Sequence, residues 1–192
     1  MSDTAANFDI ARRTMVVSQL RPQGVTDAGV LAAMGSVPRQ DYVSAAAQAS
    51  AYGDRPLRLD DGSPMMPPAE LGLLLSRLAP KPVERALVYG GGGAYAAALL
   101  RHIGLDVVTQ DEASEPVDLI LVEGAIVHLP ADLVDRLAPG GRVGAAIVED
   151  GVTRLALGRA SAGTAKTVSF TSFAEAQVPL LPGTLSAPAF AF

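Results

Sequence analysis

Apolar positions recur at helical spacing through the first eighty residues of the chain. This spacing predicts helices at Phe8–Leu20, Ala28–Met34, Asp41–Ala49 and Glu70–Leu78. Thr26 or Asp27 is expected to cap the second of them, because a side-chain oxygen there can accept from the free N–H groups of the first turn. The stretch Tyr52–Pro68 is rich in proline, glycine and aspartate. A loop of that length inside a compact domain is often functional.

Short apolar runs alternate with helical segments in the second half of the chain. Strands are predicted at Ala86–Tyr89, Asp106–Thr109, Val117–Val122 and Gly141–Val148, with helices at Ala94–His102 and Pro130–Leu137. This alternation is typical of a mostly parallel sheet with helices on both faces, that is, of the α/β class. Two further runs, Thr153–Leu157 and Lys166–Phe173, flank a Gly/Ser-rich stretch and predict an antiparallel pair at a sheet edge. We therefore expect a single domain over 1–192, with helices and a cleft loop in 1–80 and the sheet in 83–192.

Composition narrows the classes of partner and chemistry. The chain has 192 residues, of which 49% are hydrophobic, and its net charge is −5 without any Lys/Arg cluster. Nucleic acids and anionic membranes require basic patches, so neither is expected as a partner. The absence of cysteine excludes disulfides and thiolate nucleophiles. No signal-peptide pattern or membrane-length apolar run is present, so we expect a cytoplasmic protein.

Four consecutive glycines, Gly90–Gly93, follow the strand Ala86–Tyr89 and precede the helix Ala94–His102. Glycines at such a turn let the backbone approach a ligand closely, and the helix start offers free N–H groups and a positive dipole end. The pattern predicts a nucleotide- or cofactor-binding turn. The alternative is an inherited turn that only links strand to helix.

Several segments together resemble the protein-L-isoaspartate O-methyltransferase family, in the family's order. They are Gln19–Val43, Ala51–Leu57, Gly90–Leu100, Val117–Pro130 and Leu137–Val143. The resemblance implies a Rossmann-like methyltransferase sheet with an N-terminal helical layer. It also implies S-adenosylmethionine (SAM) as cofactor, and repair of isoaspartyl residues in proteins or peptides by methylation of their carboxylate.

The resemblance also implies site residues. Gly90, Gly92 and Asp111 would hold the cofactor. Asp111 lies about 20 residues after the glycines, where a ribose-binding acid is found. The alternative for Asp111 and Glu112 is a solvated acidic turn. Tyr52, Asp54 and Ser63 would line the substrate cleft.

Two segments depart from the family's pattern. The family carries an acid at Val88 and a third glycine at Ala94. Its catalytic serine aligns with Met66, which has no hydroxyl, so no catalytic residue is assigned.

A deletion is the third departure. Only Glu112–Pro116 separates Asp111 from the strand that begins at Val117. A parallel crossover usually needs a dozen or more residues, whereas five extended residues span only about 17 Å. We therefore expect one strand and one helix of the usual fold to be missing, and the adenine side of the pocket to be open. Either the linker crosses the sheet edge directly or the Asp106 strand reverses its direction. The exposed edge would suit a homodimer contact.

Two functions from different classes follow from this sequence. One is a SAM-dependent carboxyl methyltransferase, and the other is a degenerate, non-catalytic relative kept as a binding or scaffold protein. Two positions are open for Glu123. In one it faces the cleft, where it would repel an aspartyl carboxylate. In the other, which we favour, it is an acid in a surface loop. His102 and His128 are expected at the surface and Met65–Met66 in the core, and no metal-ligand cluster is expected.

Overall fold

The computed structural model describes residues 2–108, 115–161 and 166–182. Its α-helices are α1 Ser2–Met15, α2 Ala28–Ser36, α3 Pro68–Leu78, α4 Gly93–Ile103 and α5 Ala131–Arg136. A π-helical turn, Val16–Leu20, continues α1, and 3₁₀ turns lie at Arg39–Tyr42 and Gln48–Ser50. The strands are β1 Leu57–Arg58, β2 Pro64–Met65, β3 Arg85–Tyr89, β4 Asp106–Val108, β5 Val117–Ile126, β6 Leu137–Glu149, β7 Val152–Ala160 and β8 Val168–Glu175. None of the described helices is long and apolar enough to cross a membrane.

Six strands form one sheet in the order β4-β3-β5-β6-β7-β8. The first four strands of this order run parallel to one another, whereas β7 pairs antiparallel with β6 and β8 pairs antiparallel with β7. The predicted α/β class and the antiparallel edge are thus confirmed. A small separate hairpin is formed by β1 and β2.

The direction of the outer strand β4 decides one of the two alternatives for the shortened connection. It pairs parallel with β3, so the Asp106 strand keeps its direction. Among the described residues no strand pairs with its outer side. Asp111 and its neighbours in 109–114 lie outside the described residues.

Alternate residues of the central strands face two separate cores. Leu119, Leu121 and Ala125 of β5 join the core that carries the N-terminal helical layer. Ile120 and Val122 join the core on the opposite face. Side chains alternate along a strand, so β5 is buried on both faces and appears in the sequence as a continuous apolar run.

Arg142 ties the helical layer to the sheet. From β6 it donates through Nε to the carbonyl of Leu78 (2.5 Å) and through Nη2 to that of Ala79 (2.9 Å), at the end of α3. The same guanidinium forms a two-pronged pair with Glu84, at 2.7 and 3.1 Å, just before β3. One cation therefore satisfies helix-terminal carbonyls and a carboxylate together.

The N-terminal layer differs from its prediction in one element. The expected helix Asp41–Ala49 is wrong, because two 3₁₀ turns replace it and Val43 between them is extended, with φ −130° and ψ 159°. The buried side chain of Arg39 draws this segment against the core. The cap at Asp27 is confirmed, since its Oδ1 accepts from the N–H of Val30 at 2.9 Å.

Candidate cofactor and substrate site

The glycine turn lies at the carboxyl end of β3, between its neighbours β4 and β5. Gly90 has φ +111°, and a Cβ on it would lie 2.6 Å from the carbonyl oxygen of Glu123. The turn is closed by Gly93 N–H donating to the Gly90 carbonyl at 3.2 Å, and α4 begins there without a side-chain cap. Glycine is therefore required by both conformation and space at position 90, and the first N–H groups of α4 are not capped by a side chain.

The tip of the β1–β2 hairpin, residues 59–63, lies directly over this turn. A Cβ on Gly91 would lie 1.9 Å from Ser63 Oγ, and one on Gly92 would lie 2.8 Å from the carbonyl oxygen of Pro64. The chain's own atoms therefore occupy the space next to the glycines.

The hairpin tip is held mainly by bonds within itself. Leu59 N–H donates to the Ser63 carbonyl, and Gly62 N–H to the Leu59 carbonyl, both at 2.9 Å. Ser63 also donates through its N–H and Oγ to Asp61 Oδ1, at 2.9 and 2.5 Å. Within the part of the chain that the structure describes, the tip meets the glycine turn by contact only, so displacing it would leave these bonds intact.

Glu123 is fully buried next to the turn. Its Oε1 accepts from the N–H of Met66 at 2.8 Å, while Oε2 has no hydrogen-bond partner among the described residues. A Cβ on Gly92 would lie 2.7 Å from its Cγ. Burial raises the pKa of the Glu123 carboxyl to about 7, although the Met66 N–H and the charge of Arg39 act in the opposite direction.

The preference for Glu123 as a surface loop acid is wrong. β5 continues past Val122 to Ile126, and the segment after β8 covers its end. Ala125 N–H donates to the Pro179 carbonyl at 2.9 Å, and Leu181 N–H donates to the Ala125 carbonyl at 2.8 Å. Residue 123 therefore lies inside a strand and not at its exposed end.

Arg39 and Tyr95 complete a buried polar cluster with Glu123. The Arg39 guanidinium donates to the carbonyls of Ala51 (2.8 Å) and Met66 (2.6 Å), and lies 4.9 Å from the centre of the Tyr95 ring. Arg39 Nη1 and the Tyr95 hydroxyl have no hydrogen-bond partner among the described residues. Sequence reasoning missed this cluster. Its only signal was a single arginine after Pro38 in an apolar segment.

The residues predicted for the substrate cleft lie in different surroundings. The Tyr52 ring is buried, and its hydroxyl bonds to the Gln40 side chain inside the N-terminal layer. Asp54 accepts weakly from Ala69 N–H, at 3.4 Å, and borders a groove of 1210 Å³ between α3 and the β7–β8 edge. Of these three residues only Ser63 lies against the glycine turn.

The structure also shows where Met66 and Val88, which depart from the family's pattern, are located. Met65 and Met66 are fully buried, as predicted, so position 66 faces the core. Val88 packs against the start of α4, where a Cβ on Gly93 would lie 2.9 Å from its Cγ1. His102 and His128 are exposed, as expected. Asp111 lies outside the described residues.

Comparison with known proteins identifies the family. The sequence model of the protein-L-isoaspartate(D-aspartate) O-methyltransferase family matches residues 11–111. A protein-L-isoaspartate O-methyltransferase of Methylorubrum extorquens (strain PA1) is 34% identical over 164 residues, which cover 69% of this chain and 72% of that protein. One from Desulfosudis oleivorans is 30% identical over 176 residues, 75% of this chain and 80% of that protein.

Solved structures agree on the fold. A crystal structure described as a protein-L-isoaspartate O-methyltransferase from Plasmodium falciparum, in complex with S-adenosyl-L-homocysteine, superposes with a TM-score of 0.67 at 18% identity and covers 88% of this chain and 97% of that one. A second protein-L-isoaspartate O-methyltransferase gives a TM-score of 0.70 at 19% identity, covering 91% of this chain and 67% of that one. From the sequence matches, the chain belongs to the protein-L-isoaspartate O-methyltransferase family.

Proposed function

We propose that this protein is a SAM-dependent O-methyltransferase that acts on isoaspartyl residues of proteins or peptides. The observation that carries the proposal is the glycine turn at the carboxyl end of β3, which lies within the stretch matched by the family's sequence model. A turn at this edge of a parallel sheet is the position where open α/β folds bind nucleotide-like ligands.

The residues around the turn fit the amino-acid part of such a cofactor. Gly90 and Gly92 leave the backbone bare, and Glu123 lies beside Gly92 through its Cγ and Oε1. The other carboxylate oxygen, Oε2, is an acceptor that lacks a donor among the described residues. Asp111 is proposed to hold the ribose. SAM, when bound, supplies an activated methyl group to the substrate carboxylate.

The chain's own residues would act mainly by placement. An ionised carboxylate needs no base to become a nucleophile, so alignment and exclusion of water are the main requirements. The loss of a hydroxyl at Met66 is compatible with this chemistry. The hairpin tip must leave the turn to admit a ligand, and Ser63 on that tip is the hydroxyl that we propose for positioning the substrate. Tyr52 and Asp54 stay proposals for the wider cleft.

A second candidate function is a non-catalytic binding or scaffold protein. It is favoured by one observation, namely that Ser63 and Pro64 already occupy the space beside Gly91 and Gly92. Val88 and Met66, without the acid and the hydroxyl of the family's pattern, agree with that candidate.

Calorimetric titration with S-adenosylhomocysteine, followed by a methylation assay, tests these candidates. The assay compares an isoaspartyl peptide with a peptide of the same sequence that contains ordinary aspartate. Micromolar binding with methylation of the isoaspartyl peptide alone is the expected result. No heat at millimolar ligand would overturn the enzyme proposal, and binding without methyl transfer would leave only a binding protein.

A cytoplasmic location and a homodimer through the β4 edge are further proposals from the sequence. Light scattering of the purified protein at micromolar concentration tests the dimer, and a monomer would remove it.

A further inference from the structure

We infer that Glu123 binds the α-ammonium group of the cofactor's amino-acid part, and so supplies from β5 the carboxylate that position 88 on β3 lacks. The inference rests on the proposed function and deepens it, because it names the residue that would recognise the charged end of the ligand.

The sheet register places Glu123 where this role requires it. Val88 and Leu121 are direct partners across β3 and β5, and Glu123 lies two residues further along β5. Leu121 and Val88 both belong to the core under the N-terminal layer. Since side chains alternate along a strand, Glu123 shares that face and lies one step closer to the glycine turn than position 88 does.

The unsatisfied oxygen of Glu123 indicates the chemistry of its partner. A fully buried carboxylate without a full set of donors is unfavourable, and such groups are normally paired or hydrogen-bonded. Arg39 does not meet this need, because no ion pair within 4 Å joins it to Glu123 among the described residues. Its Nε and Nη2 donate to the carbonyls of Ala51 and Met66, and its Nη1 has no hydrogen-bond partner among those residues. An ammonium group that enters beside Gly92 would meet the Glu123 carboxylate, whose Oε1 lies 3.0 Å from where a Cβ on Gly92 would stand and whose Oε2 is unpaired among the described residues.

The same pairing removes a difficulty for the substrate. A bare carboxylate at this edge would repel an aspartyl carboxylate, whereas a carboxylate paired with an ammonium group presents no net charge.

The pH dependence of binding follows from the groups that face Glu123. Arg39 from the 3₁₀ turn and Tyr95 from α4 interact with its charge, and Asp61 on the hairpin tip lies beside the neighbouring Gly91. Burial raises the pKa of Tyr95, and the hydrogen bonds from Ser63 lower the pKa of Asp61, so neither titrates near neutral pH. Burial raises the pKa of Glu123 to about 7. An ammonium ligand requires the ionised form, so its binding should release a proton and tighten as the pH rises from about 6 to about 8.

The substitution Glu123→Gln separates charge from structure. A glutamine keeps an oxygen that can accept from Met66 N–H, so this hydrogen bond survives while the negative charge is removed. Glu175→Gln is the matched control, because it removes an exposed carboxylate on β8.

The test is calorimetric titration of wild type, E123Q and E175Q with two ligands. S-adenosylhomocysteine carries the ammonium group, and 5′-methylthioadenosine has the same nucleoside without the amino-acid part. We expect E123Q to bind S-adenosylhomocysteine at least about tenfold more weakly near pH 8, to bind 5′-methylthioadenosine as wild type does, and to lose the proton release seen in buffers of different ionisation enthalpy.

Equal affinity of wild type and E123Q for S-adenosylhomocysteine would overturn the inference and leave the proposed function standing. An equal loss for both ligands would overturn it too, because the effect would then be structural. If wild type binds neither ligand, the proposed function fails and this inference fails with it.

Discussion

At residue 123 a carboxylate stands inside a parallel strand, where apolar side chains are the rule. It is tolerated because Met66 N–H donates to one oxygen and the buried guanidinium of Arg39 lies nearby. The other oxygen has no donor among the described residues, so the folded state favours the protonated acid.

This preference predicts how stability changes with pH. The Glu123 pKa is raised from 4.5 to about 7 on folding. The folded protein therefore holds more protons than the unfolded chain between those values, and the free energy of unfolding falls as the pH rises through that window. E123Q lacks this loss, so it should gain up to about 3 kcal/mol over wild type between about pH 5 and pH 8.

Urea denaturation of both proteins at the two pH values measures the difference, with E175Q as the control for an exposed acid. A difference between wild type and E123Q that does not change with pH would contradict the raised pKa.

The sequence predicts the role of a single residue well where local backbone geometry determines it. It predicts that role poorly where burial by distant parts of the chain determines it. Gly90 could be recognised because a tight turn between strand and helix demands its backbone freedom. Glu123 could not, because an acid and a glycine after an apolar run are typical of a strand end. Its side chain is buried against Met66 and Arg39, which lie far from it along the chain.

At the scale of elements, the hairpin tip packs against the glycine turn through Ser63, which lies over Gly91. Gly91 has an ordinary φ, so alanine there is limited only by the space that Ser63 takes. Gly91→Ala should lower the free energy of unfolding by about 1–2 kcal/mol, because its methyl group must push the tip away. Ser63→Gly removes the opposing atoms, and the double variant should recover most of the loss.

Chemical denaturation of the four proteins in this double-mutant cycle measures the coupling. Gly35→Ala in α2 is the control, since a Cβ there meets only Val16 at 3.8 Å. Additive effects of the two substitutions, within about 0.5 kcal/mol, would show that the tip does not rest on the turn in solution.

Strands and helices were predictable to the extent that the apolar period is regular. The central strands β3 and β5 follow from continuous apolar runs. The helix predicted at Asp41–Ala49 is wrong although alanine, a strong helix former, is frequent there. Local propensity is a weak guide there. The buried Arg39 guanidinium donates to the carbonyls of Ala51 and Met66, and these hydrogen bonds fix the backbone of the segment in a non-helical conformation.

Over the whole molecule, Arg142 joins the helical layer to the sheet. Burial raises the pKa of Glu84, but the hydrogen bonds from Arg142 and Lys81 outweigh it, and the net pKa is lowered. Arg142→Ala removes the guanidinium that donates to this carboxylate and to two helix-end carbonyls, and leaves Glu84 with the N–H of Lys81. We expect it to cost about 2–3 kcal/mol of unfolding free energy near neutral pH.

A lowered pKa means that the ion pair contributes above the ordinary pKa of glutamate and is lost as the pH falls through the folded value. The gap between wild type and Arg142→Ala should therefore narrow in acid, as measured by thermal or urea denaturation. Arg159→Ala on β7 removes an exposed arginine and is the control. An unchanged gap near pH 3 would mean that the carbonyl bonds, and not Glu84, carry the effect.

The three-residue strand β4 has a consequence for engineering. Its outer side pairs with no other strand among the described residues, and its direction already matches that of the parallel sheet. A strand–helix unit taken from a longer relative could therefore be spliced between Val108 and Val117 and pair with β4 in register. The affinity of such a chimera for a nucleoside ligand, compared with that of the original protein, would measure what one added strand and helix contribute to binding.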